Sequence, residues 1–210
     1  MSATSNITIH DGDLPDGLTL GPIVAVDSET MGLQVWRDRL CVVQLSSGDG
    51  TAHLVKMPMP GPDGRISAPN LARLMADPDV LKLFHFARFD IAAMQRYLNV
   101  TTAPVYCTKI ASRLVRTYTD RHGLKDLVRE LLGVEISKEQ QSSDWGASTL
   151  TPAQATYAAS DVLYLHRLRD KLDAMLVREA RTHLAAACFA FLPARAVLDL
   201  GGWTEDIFSH

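Results

Sequence analysis

The chain has 210 residues, 47% of them hydrophobic and 21% charged, and carries a net charge of −3. That is enough sequence to bury one α/β core without disulfides or a structural metal. The acidic balance excludes a protein that coats long nucleic acid by charge alone. Cys41, Cys107 and Cys188 are odd in number, widely spaced and set among apolar residues. They read as reduced thiols, not as a disulfide framework or a zinc site. The opening MSATSNITIHDGDLP has no basic segment followed by an apolar one, and no apolar run approaches the ~20 residues that span a bilayer. The expectation is a cytoplasmic chain with no membrane partner.

In chain order, PIVAVDSE predicts a strand, RDRLCVVQLSSGDG a second strand ending in a Gly-rich turn, and TAHLVKM a third. The Pro- and Gly-rich PMPGPDGRISAP is a loop, and NLARLMAD is a helix with Asn70 as its N-cap. VLKLFHF is a short buried strand followed by the helix ARFDIAAMQRYL, and PVYCTKIASRLVRTY begins extended and turns helical. GLKDLVRELLGV places Leu124, Leu127, Val128, Leu131 and Leu132 on one side of an amphipathic helix. From Thr151, a cap, and Pro152, at the first helical position, one long helix runs to about residue 180. Strands come first and helices interleave later, so the fold class is α/β with a mixed central sheet flanked by helices. Residues 1–210 form a single domain, with a core at about 20–180 and an apolar ending, 185–210, that packs on the core or covers a neighbouring subunit.

Asp27 and Glu29 stand where the apolar run IVAV ends. Two apart on a strand, they share one face, about 6.6 Å apart along it. Alone, Asp-x-Glu at a strand end fits a solvated turn. Asp90, alone, fits a first-turn carboxylate favoured by the helix dipole. Asp161 is harder to dismiss. It lies mid-helix in YAASDVLYL with no Lys or Arg three or four residues away, and Tyr157 is one turn earlier on the same face. Four carboxylates meeting at one site repel unless cations bind them, and all-oxygen ligands suit Mg²⁺ or Mn²⁺. Two such ions clamp an in-line phosphoryl displacement.

VDSET, HFARFD and YAASD resemble the three motifs of the DEDD 3′–5′ exonucleases, in the tyrosine-bearing DEDDy branch. The intervening YCTKIASRL, GLKDLVRELLGVEISKEQQSSDW and DVLYLHRLRDKL are similar to ribonuclease D, so that the resemblance covers about residues 20–175. It implies an RNase H-like fold, two divalent ions (Mg²⁺ or Mn²⁺) and release of nucleoside 5′-monophosphates from the 3′ end. It also implies roles. Asp27, Glu29 and Asp161 hold the nucleophile-side ion, Asp27 bridges to the second ion, and Asp90 supports that one directly or through water. Tyr157 orients or deprotonates the attacking water. Glu29 and the Thr30 backbone receive the 3′-hydroxyl, Leu33 is the wedge between the last two bases, and Phe89 touches the terminal nucleotide. His85 and Phe86 depart from the polar residue common before the second-motif Asp, and His85 is kept as a substrate contact.

The short length, RTYTDRHGLK, SKEQQSSDW and the apolar ending ACFAFLPARAVLDLGGWTEDIF resemble the nanoRNase C family, compact alphaproteobacterial enzymes without the helical RNA-binding domains of ribonuclease D. That resemblance implies short RNA oligonucleotides as substrates, 5′-phosphorylated dinucleotides above all, and a ring-like homo-octamer. An acidic chain suits a substrate with few phosphates. Between Lys109 and Arg129 six cations face two acids, a run that fits a solvated helix face or a local anion site. The candidates for the substrate's 5′ end are Lys109, Arg113, Arg116, Arg121, His122, Gln140, Gln141 and Ser143. The alternatives are ribonuclease D-like trimming of longer RNA 3′ ends and a non-catalytic nucleic-acid-binding module.

Overall fold

The computed structural model describes residues 6–137, 139–203, 205 and 207–209. Residues 1–5 of the opening segment and positions 204, 206 and 210 of the apolar ending lie outside the described residues.

The three apolar runs of the first half become β2 (Ile23–Thr30), β3 (Leu40–Ser46) and β4 (Thr51–Lys56), paired antiparallel in succession. On the other side of β2, β5 (Leu81–Phe84) and β6 (Val105–Cys107) add in parallel. A strand not anticipated from sequence, β1 (Asn6–Asp11), closes the far edge parallel to β4. Its NITIHD is mostly polar and half-exposed or exposed, so only the ladder to β4 makes it a strand. The sheet order is β1-β4-β3-β2-β5-β6.

Helices cover both faces. Val24 and Val26 of β2 pack into the core beneath α1 (Pro69–Ala76), α2 (Ala87–Leu98) and α7 (Thr182–Leu200). Ala25, pointing the other way, packs into the core beneath α3 (Thr108–Val115) and α6 (Leu165–Arg178). β3 is buried along its whole length, as a central strand covered on both faces must be. This alternation sets up the site. Asp27 and Glu29 follow Ala25 in parity, whereas Ser28 faces α2.

Four local expectations are corrected. Asn70 is not the N-cap of α1: Pro69 is already helical, and no side chain of the cap residue Ala68 serves. The carboxylate of Asp13, more than fifty residues away, instead accepts the backbone N–H groups of Asn70 and Leu71 at 2.8 and 2.9 Å. The amphipathic helix at 123–134 is α4 (Leu124–Leu127) continued by a π-helical turn, Val128–Leu132, and it ends at Gly133 in the left-handed conformation (φ 69°) that glycine adopts without penalty. The long helix from Pro152 divides at Tyr164 into α5 (Pro152–Leu163) and α6. Its two halves serve different cores: Ala155 and Ala158 pack with Trp145, Val42 and Leu54, while Leu165, Leu168 and Leu172 pack with β5 and α3. Finally, α7 is by length and composition apolar enough to cross a membrane, although the sequence, broken there by Arg195 and Asp199, showed no such run. Here α7 lies on the core: Leu192 and Ala196 are buried, and Arg88 of α2 holds Asp199 through two hydrogen bonds of 2.5 and 2.6 Å.

Candidate active site

The site forms at the carboxyl ends of the parallel strands β2 and β5, where open α/β sheets leave a crevice. β2 delivers Asp27 and Glu29 to the same side, and α5 brings Asp161 across to meet them. One carboxylate oxygen from each lies within 4.8 Å of the other two. Asp90, in the first turn of α2, approaches from the opposite side of β2. It is buried and accepts a 2.6 Å hydrogen bond from Ser28 Oγ. At the end of β2 the pairing with β3 slips by one residue between Glu29 and Thr30. The unpaired residue is Cys41 of β3, and β2 ends at Thr30, whose hydroxyl donates to the Gly32 carbonyl.

The electrostatics show what the cluster lacks. Burial raises Asp27 to about 7, against a smaller lowering by the Ser28 backbone N–H. Burial, then the charges of Asp27, Asp161 and Asp90, push Glu29 up to about 10. Burial and the Asp27 charge raise Asp90 well above the usual carboxylate range. Like charges gathered in a desolvated site hold protons until a cation replaces them. The donor set is all oxygen and anionic, which fits a hard divalent ion such as Mg²⁺ or Mn²⁺.

Tyr157 sits one turn before Asp161 on α5 and hydrogen-bonds to it. Burial and the surrounding carboxylates hold its phenol above the usual range. Trp145, buried within the 139–150 segment, packs against the Tyr157 ring with centroids 5.9 Å apart. That segment is tied to the start of α5 by Gln154, which closes a capping box with Thr151 and donates to Ser143 Oγ and the Asp144 carbonyl.

Around the carboxylates runs a groove in two continuous halves. One, about 470 Å³, is lined by Asp27, Ser28, Glu29, Thr30, Leu33, His85, Phe86, Phe89, Asp90, Gln141, Ser143 and Trp145 among others. The other, about 300 Å³, shares Asp27, Ser28, Glu29, His85, Phe86 and Gln141 and adds Lys109, Gly123, Lys125, Ser137, Tyr157 and Asp161. Leu33 is 83% exposed at the groove wall, on a loop held by Asp38, which accepts the Gln34 N–H at 2.9 Å, and by the Tyr97 hydroxyl, which donates to the Val35 carbonyl. His85 meets the Thr108 hydroxyl at 2.9 Å. Because that hydroxyl gives its proton to the Phe84 carbonyl, His85 Nδ1 is the donor in this contact.

Of the candidates for the substrate's 5′ end, Lys109, Gln141 and Ser143 line the groove. Arg113 lines a neighbouring cavity behind Phe86, and Gln140 one on the far side of Tyr157. Arg121 is exposed. His122 is buried with Nδ1 2.9 Å from Ser112 Oγ. Arg116 is fully buried and engaged with Ser112 Oγ, the Arg121 carbonyl and Glu130, so it holds the fold here and does not face the groove. Three residues that sequence reading passed over also belong to the site. Lys125 lines the groove, Ser28 holds Asp90, and Gln44, opposite Asp27 in the β2–β3 register, donates to Asp27 Oδ2 at 3.4 Å.

A family model described as 3′-5′ exonuclease matches residues 16–177. The chain belongs to that family. A curated relative, ribonuclease D of Acidiphilium cryptum, is 38% identical over 168 residues, which is 80% of this chain and 41% of that protein. The chain therefore spans about two fifths of the length of the curated ribonuclease D relatives it matches. Among solved structures, Brucella melitensis NrnC with bound Mg²⁺ is 52% identical with a TM-score of 0.91, covering 98% of this chain and 99% of its own. The same protein bound to pGG is 53% identical with a TM-score of 0.93, covering 99% and 100%. Escherichia coli RNase D, 24% identical with a TM-score of 0.72 over 83% of this chain and 45% of its own, shares the fold, which is the RNase H-like fold expected from the motifs.

Proposed function

We propose that the chain is a divalent-cation-dependent 3′–5′ exoribonuclease that hydrolyses short oligonucleotides, 5′-phosphorylated dinucleotides foremost, to nucleoside 5′-monophosphates. The observation that carries this reading is the meeting of Asp27, Glu29 and Asp161 within 4.8 Å in a groove walled by the exposed Leu33. The full-length likeness to a protein solved with Mg²⁺ and with pGG supports it.

Asp27, Glu29 and Asp161 would hold one ion, and Asp27 with Asp90 a second. When bound, the two ions supply Lewis-acid activation of water and charge stabilisation at the departing 3′ oxygen. The remaining work falls to the protein. Ser28 fixes Asp90 in one orientation and Gln44 does so for Asp27, as supporting hydrogen bonds do around ligating carboxylates. Tyr157, hydrogen-bonded to Asp161, stands where it would orient or deprotonate the attacking water. Glu29 and the Thr30 backbone receive the 3′-hydroxyl, and Leu33 separates the last two bases. Lys109 and Lys125, in the half of the groove away from Leu33, are placed for the 5′ phosphate.

The exposed apolar residues Leu184, Val197, Trp203 and Phe208 give a surface to the ring-like homo-octamer included in this reading. The test is a time course on 5′-labelled RNAs of two to seven nucleotides with Mg²⁺ or Mn²⁺. Dinucleotides are expected to be cleared first, as mononucleotides appear. Accumulating dinucleotides with continued shortening of longer RNA would favour ribonuclease D-like trimming instead.

A further inference from the structure

The mechanism above leaves unused the most conspicuous side chain of the β5–α2 turn. Phe86 has φ 69° and ψ 44°, the left-handed region that disfavours residues bearing a β-carbon. Phenylalanine has no polar group with which to satisfy the turn, yet it sits 47% exposed. Backbone strain of this kind persists where surrounding contacts over-determine it. Two successive residues at the start of α3 supply those contacts. Thr108 holds His85, and Lys109 Nζ lies 4.2 Å from the centroid of the Phe86 ring. The turn is thus clamped so as to hold an aromatic ring at the wall of the groove.

The position of the ring separates its task from that of Phe89. Phe89 is half-buried and lines only the half of the groove that contains Leu33 and Asp90. Phe86 lines that half and also the half that contains Tyr157, Lys109 and Lys125.

We propose that Phe86 is the stacking platform for the base on the 5′ side of the scissile phosphate, its other face held by Lys109. This rests on the reading of the groove as an oligonucleotide site. Stacking on a ring face tolerates every base and favours the larger purines. It would give a dinucleotidase its grip on the second nucleotide, where few phosphates are available to bind.

The test compares Phe86→Asn and Phe86→Tyr with the unaltered chain. Asparagine adopts the left-handed conformation readily, so the turn survives while the ring is lost. For pGG in Mg²⁺, Phe86→Asn is expected to raise KM about 10-fold or more, with kcat within about threefold and no loss of melting temperature. Phe86→Tyr, which keeps the ring, is expected to behave as the unaltered chain. A dinucleotide lacking its 5′ base is expected to bind both chains equally, because the partner of the ring is already gone. The proposal is overturned if the unaltered chain cleaves pGG and Phe86→Asn matches its KM. It is overturned equally if the KM rise is as large for the substrate without the 5′ base. If the unaltered chain leaves pGG intact in Mg²⁺ and Mn²⁺, the reading of the groove itself fails, a result distinct from either.

Discussion

Replacing Asp27 with Asn is expected to abolish cation-dependent hydrolysis, lowering kcat by about 10³-fold or more, or ~4 kcal/mol of transition-state stabilisation. Asp27 is the decisive choice because it belongs to the cluster with Glu29 and Asp161 and also feels Asp90 across the strand. An amide of the same size keeps an oxygen for the Gln44 side chain to donate to, so the fold has no reason to fail. What is lost is the negative charge that attracts a cation from water. The measurement is kcat for a dinucleotide in Mg²⁺, together with calorimetric titration of the ion, and both are expected to collapse together. Activity kept within tenfold of the unaltered chain would remove Asp27 from the metal site.

The second expected result separates activity from stability. Glu29→Gln should destroy activity while making the metal-free chain more stable. The sign follows from linkage. Glu29 is raised to about 10 and Asp27 to about 7, above their ordinary ranges, so the folded chain binds protons that the unfolded chain releases. Stability from these groups is complete below about pH 4 and is lost as pH rises towards 7 for Asp27 and on towards 10 for Glu29. A glutamine at position 29 has no proton to lose and no charge to leave beside Asp27, Asp161 and Asp90. In chelator, the variant is therefore expected to melt a few degrees above the unaltered chain at pH 8, about 2–4 °C for each 1 kcal/mol gained. The gap should narrow at pH 5. Mg²⁺ should raise the melting temperature of the unaltered chain, more at pH 8 than at pH 5, because it competes with protons for the same oxygens. Equal melting of the two chains at both pH values would show that the carboxylates carry no such penalty.

Three of the four carboxylates stand out in the sequence by local chemistry, whereas Asp90 fits an ordinary first-turn acid and is marked only by the motif around it. Asp27 and Glu29 end an apolar strand, and Asp161 sits in an apolar helix with no cation within a turn. Periodicity then says which faces they share. Groups that act across long separations left no such trace. Ser28 holds Asp90 sixty-two residues away, and Gln44 meets Asp27 only because β3 returns antiparallel in that register. Asp13 displaces Asn70 as the cap of α1 for the same reason, since a cap supplied from another part of the chain is invisible to a rule read in a four-residue window. Arg116 misled in the other direction. In sequence it is one more cation of a basic run, and only the packing of the π-helical turn shows its guanidinium buried against Glu130. No sequence signal marks the left-handed turn at Phe86, because phenylalanine is among the residues least expected there.

As a cradle for divalent ions, the cluster should reveal itself in crystals soaked in Mn²⁺ with a non-hydrolysable dinucleotide. Anomalous scattering is predicted to show two peaks, about 3.5–4 Å apart, one among Asp27, Glu29 and Asp161 and the other between Asp27 and Asp90. A well-occupied dinucleotide in the groove with no Mn²⁺ peak at these carboxylates would contradict the account.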